Sequence, residues 1–267
     1  MNRMLNRKSV RTYDGRMLTE EDRAFLSDVA KTAENPWGIP VDFCFLDPKE
    51  HGLKSPVLNG ETLYLAAKVR RVPHFEEAYG YSFESVVIRA WERGIGTVWI
   101  GGTMNRENFE NAVGLKADEV MPCVTPVGYP ADKRSLRETV MRKGVRADWR
   151  YGLGEIAFED EAGKPLSAAS AEKYGEALEA VRWAPSAVNK QPWRIVVSGD
   201  TVCFYEKPDT GYVRDATGDL QRIDVGIAMY HFVRAVSDGG GSCILTPEKP
   251  EIPVPVEWKF VAAFQVR

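Results

Sequence analysis

Apolar positions along the chain recur with two periods, and their succession divides the sequence into two similar halves. Phe25, Leu26, Val29, Ala30 and Ala33 repeat at helical spacing behind Thr19-Glu20-Glu21-Asp22, which has capping-box spacing. Segments rich in β-formers follow at 41–46 and 62–69. Phe83, Val86, Val87 and Ala90 predict a helix over 82–93 that ends at Gly94-Ile95-Gly96. Residues 97–100 then read as a short strand before Gly101-Gly102, followed by a helix near 105–113 and a buried strand near 120–127. A further helix opens at Ser135, with Glu138 three residues on.

The second half repeats that order. Ser167 is placed to cap a helix whose inner face is Tyr174, Ala177, Leu178 and Val181, and Pro185 stops it, because proline disfavours helical geometry in the residue before it. Two strands, 194–198 and 201–205, flank the hairpin turn Gly199-Asp200. A helix near 223–236 runs into Gly239-Gly240-Gly241, and strands at 242–245 and 256–266 close the chain. Asn35-Pro36-Trp37 echoes Gln191-Pro192-Trp193, and Gly94-Ile95-Gly96 echoes the later glycine run. These echoes predict an internal duplication, with halves 1–149 and 150–267. Arg142-Lys143-Gly144-Val145-Arg146 also resembles Arg7-Lys8-Ser9-Val10-Arg11, but reads more simply as ordinary basic C-capping of a helix.

Composition narrows the class. A net charge of −3 over 267 residues leaves no electrostatic footprint for nucleic acid or an anionic membrane. No apolar run approaches the roughly 20 residues of a membrane helix, and the basic N-terminal stretch lacks a signal peptide's apolar core. A reduced, cytoplasmic protein is expected. Cys44, Cys123, Cys203 and Cys243 are scattered in mostly apolar surroundings and read as buried thiols. His51, His74 and His231 share no metal-ligand spacing, which argues against zinc hydrolysis.

Nucleotide and hydrolase motifs fail in turn. Gly94-Ile95-Gly96-Thr97-Val98-Trp99 has Trp99 where a dinucleotide fingerprint needs its third glycine, and it runs from helix to strand. There is no Walker pattern and no nucleophile elbow, and nothing supplies a histidine base for Ser9 or Ser186. Two polar clusters remain. Arg7-Lys8-Ser9-Val10-Arg11 offers two guanidinium forks and a hydroxyl, a set suited to phosphate, although alone it reads as a solvated basic terminus. Ala184-Pro185-Ser186-Ala187-Val188-Asn189-Lys190-Gln191-Pro192-Trp193 packs several donors into one turn; its plainer reading is a helix stop.

Arg-x-Ser-x-Arg-x-aromatic at Arg7 to Tyr13, the Ala-Pro-Ser-x-x-Asn-x-Gln-Pro-Trp turn, and Gly-x-Gly-Thr-x-Trp-Ile-Gly at Gly94 to Gly101 together resemble the FMN-dependent nitroreductase family over almost the whole chain. The division of motifs resembles its fused, double-length members. The first half keeps the arginine motif and the Gly-rich loop, with an eroded Asn35-Pro36-Trp37; the second half holds the intact Ala-Pro-Ser turn. The resemblance implies an α+β fold, with two half-copies forming an intramolecular pseudo-dimer of mixed sheets and flanking helices. It also implies one FMN per chain at their junction.

On the same basis Arg7, Lys8, Ser9 and Arg11 hold the phosphate and ribityl end, with Lys133 or Arg134 as a second contact. Ile100, Gly101 and Gly102 bring backbone close to the isoalloxazine, and Pro185, Ser186, Ala187 and Asn189 approach from the other half. The flavin carries the redox chemistry, so no protein acid–base pair is required. Hydride from NAD(P)H passes to a nitroaromatic, quinone or similar small-molecule acceptor. The alternatives are a non-catalytic flavin carrier or sensor, and a flavin-consuming or dehalogenating relative. A dimer built into one chain is compatible with a monomer.

Overall fold

Two β-sheets flank a central pair of helices in the computed structural model, which describes residues 2–246 and 248–267. A single turn, Asn2–Leu5 (α1), precedes helix Glu20–Lys31 (α2) and strands Val41–Leu46 (β1) and Tyr64–Arg70 (β2). The long helix Phe75–Glu92 (α3), helix Arg106–Ala112 (α4), and strands Glu119–Val120 (β3) and Val124–Pro126 (β4) follow. Helix Leu136–Gly144 (α5), the turn Leu153–Ile156 (α6) and strand Ala157–Glu159 (β5) lead to helix Ala168–Trp183 (α7). Strands Trp193–Ser198 (β6) and Thr201–Glu206 (β7), and the short pair Val213–Arg214 (β8) and Gly218–Asp219 (β9), precede helix Leu220–Asp238 (α8). Cys243–Thr246 (β10) and Lys259–Val266 (β11) complete the chain.

Local chemistry sets many of these boundaries. Thr19, Ser135 and Ser167 each accept an N–H from three residues on, at 3.1 Å, as their sequence positions predict. Ala184 is extended ahead of Pro185, which ends α7 at Trp183. Gly199 adopts the left-handed φ of +57° that closes the β6–β7 hairpin, where Ser198 pairs with Thr201.

The first sheet has β2 at its centre, with β1 on one side and β3 and β4 on the other, all antiparallel. The second runs β10-β11-β7-β6-β5, and only β5 is parallel to its neighbour. Helix α3 contacts β1 and β2, α8 contacts β6, β7 and β10, and the two helices pack on each other between the sheets. This is the α+β pseudo-dimer expected.

Several expectations differ from the structure, among them the closing strand, which begins at Lys259 and not at Val256. Helix α3 begins at Phe75 rather than near 82, because every residue from Glu77 to Glu84 is buried and no polar face marks its period. Residues 97–100 form isolated bridges, Ser9 with Thr97 and Ile100 with Val124, in place of a regular strand. The predicted strand at 120–127 is interrupted, forming β3 and β4. All four cysteines are free; Cys123 and Cys203 are buried, and Cys44 and Cys243 only partly so. Among the described residues, no helix is long and apolar enough to cross a membrane.

The α3–α8 contact is built on a reciprocal glycine pair. A Cβ on Gly80 would stand 2.2 Å from the Ile223 carbonyl oxygen, and one on Gly226 would stand 2.4 Å from that of Glu77. Each glycine thus faces the carbonyl three residues before the other, the pattern a twofold relation produces. Gly80→Ala or Gly226→Ala is expected to force the helices apart and destabilise the protein by about 2–3 kcal/mol or more, as overpacking does. Gly175→Ala on α7, where a Cβ meets nothing within 4 Å, is expected to stabilise by about 0.5–1 kcal/mol. Urea unfolding of the three variants checks both directions; equal effects would show that the crossing tolerates a side chain.

Candidate cofactor site

Arg7 and Arg11 extend from the segment that follows α1, pinned where Ser9 pairs with Thr97 and Val10 N–H donates to the Thr97 carbonyl at 2.9 Å. The Arg7 side chain is only 5% exposed, and its Nε lies 4.0 Å from a carboxylate oxygen of the fully buried Glu84 on α3. Glu84 also accepts from Trp99 Nε1 at 2.8 Å and lies 2.9 Å from His231 Nε2 on α8. Beside Arg11, buried Glu138 accepts the Arg11 backbone N–H at 3.3 Å and the Thr12 hydroxyl at 2.8 Å.

These two guanidinium groups are incompletely satisfied. Nε and Nη1 of both Arg7 and Arg11, and Nε of Arg150, are buried without a hydrogen-bond partner. Burial depresses the pKa of both Arg7 and Arg11, and the nearby charge of Arg142 depresses them further against the opposing pull of Glu84 and Glu138. Arg150 is pushed down to about 10, first by burial and then by Arg7 and Arg182. An unsatisfied buried donor costs about 1–3 kcal/mol. A cluster of such donors on mutually repelling cations is chemically suited to an anion, which would bring both acceptors and opposing charge.

Arg150 joins this cluster to the second half. Its Nη1 donates to Asn189 Oδ1 at 3.0 Å and to the carbonyls of Ala147 and Trp149, and its guanidinium lies 5.1 Å over the Trp183 ring. Asn189 Nδ2 donates to the carbonyls of Arg146 and Trp149, both at 2.9 Å. The turn carrying Asn189 is tightly wound: Val188, Asn189 and Gln191 have φ of +44°, +60° and +51°. Ser186 Oγ accepts from Gln191 N–H at 2.9 Å, and Gln191 Oε1 accepts from Tyr151 N–H at 3.0 Å.

Ala187 N–H donates to both oxygens of Asp224 on α8, at 3.0 and 3.1 Å. Asp224 is buried, and burial raises its pKa well above the ordinary carboxylate range, only partly offset by that hydrogen bond. Around Gly101, a Cβ would lie 3.1 Å from Cys123 Sγ and 3.7 Å from Leu220, at the start of the same helix. Arg106 fixes this loop, donating to the carbonyls of Gly101, Met121 and Pro122 at 2.7–3.0 Å.

Arg7 thus lies within electrostatic reach of Arg150, which holds Asn189, and pairs with Glu84, which meets His231 of α8; the same helix holds Ala187 through Asp224. The other expected residues are exposed or already engaged. Lys8, Gly102, Lys133 and Arg134 are exposed, and Arg134 is 3.7 Å from Glu138. Ile100 exchanges both backbone hydrogen bonds with Val124, so its N–H is already committed. Glu84, Arg142, Arg150 and Asp224 were not legible as site residues. Only the basic run Arg142 to Arg146 carried a signal, and spacing alone could not distinguish it from a helix cap. The eroded Asn35-Pro36-Trp37 is satisfied internally: Asn35 Nδ2 donates to Ile39 O and Ser82 Oγ, and Trp37 stacks on His74 at 6.2 Å.

Two half-copies around a crossed helix pair, with under-satisfied buried arginines in the first and the Pro-Ser turn in the second, define a nitroreductase-type fold. Residues 1–236 match the family model described as "Putative TM nitroreductase", and the chain belongs to that family. The structure is similar to that of a protein described as a "putative nitroreductase" from Thermotoga maritima at 18% identity and a TM-score of 0.61, covering 98% of this chain and 90% of that one. An FMN-dependent nitroreductase from Clostridium difficile aligns with 50% of this chain and 88% of its own, at 16% identity and a TM-score of 0.43. An iodotyrosine deiodinase bound to FMN and 3-iodo-L-tyrosine covers 50% of this chain and 91% of its own, at 18% identity and a TM-score of 0.43. No curated protein matches the chain.

The Asp224 environment yields a pH dependence with a definite sign. Its folded-state pKa lies above its unfolded value, so the folded protein retains a proton that the unfolded chain has released. Its contribution to stability is therefore fully present below the ordinary aspartate pKa of about 3.9 and is lost as pH rises through the folded value. Asp224→Asn keeps an acceptor for Ala187 N–H and cannot ionise. Its stability relative to the parent, read by thermal unfolding across pH, is expected to improve as pH rises; a constant difference would show that Asp224 titrates normally.

Proposed function

We propose that this protein is an FMN-dependent oxidoreductase that takes hydride from NAD(P)H and delivers it to a nitroaromatic, quinone or similar conjugated acceptor. Family membership supports the reaction class. The observation that carries the cofactor is the set of unpartnered, buried guanidinium atoms on Arg7 and Arg11, which a phosphate monoester satisfies. FMN, when bound, supplies the two-electron relay between the nucleotide and the acceptor.

The chain's own residues bind and orient. In this reading Arg7 and Arg11 hold the phosphate, Ser9 and Lys8 flank the ribityl end, and Lys133 or Arg134 adds charge nearby. Glu84 keeps Arg7 in place, and Glu138 does the same for the Arg11 backbone. Pro185, Ser186, Ala187 and Asn189 form the wall from the second half, braced by Asp224 and Arg150. Ile100, Gly101 and Gly102 form the wall of the first half, where small residues leave room for a planar ring. No side chain is required to move a proton.

Arg11→Ala is expected to weaken FMN binding by about 1.5–3 kcal/mol, the worth of a hydrogen bond to a charged group, and to leave riboflavin binding nearly unchanged. Fluorescence titration with both ligands checks this; equal losses would reduce Arg11 to a structural role. Anaerobic NAD(P)H is expected to bleach the bound flavin, and a flavin that dithionite reduces but NAD(P)H does not would identify a carrier.

We propose in addition that the site is shared between segments 1–149 and 150–267, giving one FMN per chain. Separately expressed, neither segment is expected to bind FMN until the two are mixed, and Asn189→Ala in the second should weaken the mixture. Full affinity in the first segment alone would assign the whole site to it.

A further inference from the structure

A cationic cavity adjoins the proposed flavin site and shares Arg134 and Arg142 with it. A cavity of about 300 Å³ opens between α5 and the segment that follows it, lined by Arg134, Arg142, Lys143, Arg146, Asp148 and Trp149 among others. Four cations against one carboxylate is a sharp local departure in a chain of net charge −3. Arg142 is held by Asp148, and Arg134 lies 3.7 Å from Glu138. Among the described residues, the side chains of Lys143 and Arg146 have no ion-pair or hydrogen-bond partner and are exposed. Trp149 adds a large aromatic surface, 43% exposed and set edge-on to Tyr151 at 4.6 Å.

Two uncommitted cations beside an exposed indole form a recognition set for a phosphate joined to a flat ring. The cations take a phosphate dianion, and the indole face takes a base. The volume sits at the small end of ligand pockets, enough for one nucleoside phosphate and short of a whole dinucleotide. Position supplies the rest. The carbonyls of Arg146 and Trp149 hold Asn189 Nδ2, so the cavity wall and the proposed flavin wall are one continuous structure. Arg7 and Arg11 already offer donors for the phosphate of FMN, which leaves Lys143 and Arg146 for a different anion.

We propose that this cavity binds the phosphorylated adenosine end of the reduced dinucleotide, and that the protein therefore prefers NADPH to NADH. The extra phosphate on the adenosine ribose meets Lys143 and Arg146, and the adenine stacks on Trp149. The assignment rests on the oxidoreductase reading for its biological sense, but the binding site itself is testable without turnover.

The test uses the full-length, FMN-loaded protein and calorimetric titration with adenosine 2′,5′-bisphosphate, 5′-AMP and inorganic phosphate. The bisphosphate is expected to bind at least about tenfold more tightly than either of the others, the effect of one charge-assisted contact. Lys143→Gln with Arg146→Gln is expected to remove that advantage while FMN affinity stays unchanged, and Trp149→Ala to weaken both nucleotides alike. In steady state the double variant should raise KM for NADPH about tenfold, leaving kcat and the NADH parameters in place. Equal affinity for the bisphosphate and 5′-AMP would overturn the proposal. So would inorganic phosphate binding as tightly as the bisphosphate, or a loss in the double variant that falls on FMN. Tight, Lys143- and Arg146-dependent binding of the bisphosphate with no flavin reduction by NADPH would keep the site and discard the reductase.

Discussion

The carbonyl oxygens of Ile223 and Glu77 lie so close to Gly80 and Gly226, respectively, that α3 and α8 meet as bare backbone, and the two halves are positioned by that contact. A helix pair this close leaves no room for an apolar side-chain layer at the crossing point, so polar side chains join the helices beyond it. Arg222 of α8 reaches Glu77 of α3 at 3.0 Å and Glu206 of β7 at 3.3 Å; His231 meets Glu84, and Arg234 meets Glu92 at 3.1 Å. Such buried and half-buried pairs add little net stability over apolar packing but penalise any slip that separates them. They act on register more than on cohesion.

The same crossing relates the site to the fold. Glu84, fixed at the α3–α8 contact by His231, is the carboxylate paired with Arg7; Asp224, two residues before Gly226, anchors Ala187. Residues encoded far apart are thus tied to one helix pair, and the desolvated cations beside them are held with it. Preorganised charge of this kind needs little rearrangement when a counter-ion arrives.

Much of this organisation was readable from the chain, because it depends on local rules. Thr19, Ser135 and Ser167 cap helices by short-range geometry, Pro185 acts on the residue before it, and Gly199 supplies a left-handed turn. Elements buried on every side were harder to read. The first turns of α3 lack a polar stripe, since Glu77 and Glu84 are as buried as Tyr79 and Phe83. The site divides in the same way. Arg7, Arg11 and the Ala187–Asn189 turn were visible as motifs, whereas Arg142 and Arg150 gain their meaning from neighbours over 130 residues away in sequence. Arg142 read as a helix cap because nothing in its own segment shows that it comes to lie near Arg7 and Arg11.

Val188 carries a consequence of a different kind. A β-branched residue at φ +44° is in one of the backbone regions least hospitable to it, at a cost of about 1–2 kcal/mol, and its side chain is 58% exposed, so little packing is recovered there. Glycine in its place would relieve the strain and also let the turn sample many other shapes. Valine restricts both the backbone and χ1, so the neighbouring Ala187 and Asn189 hold one geometry before any ligand arrives. The turn gives up folding stability for conformational economy, which makes it a rigid jamb rather than a hinge.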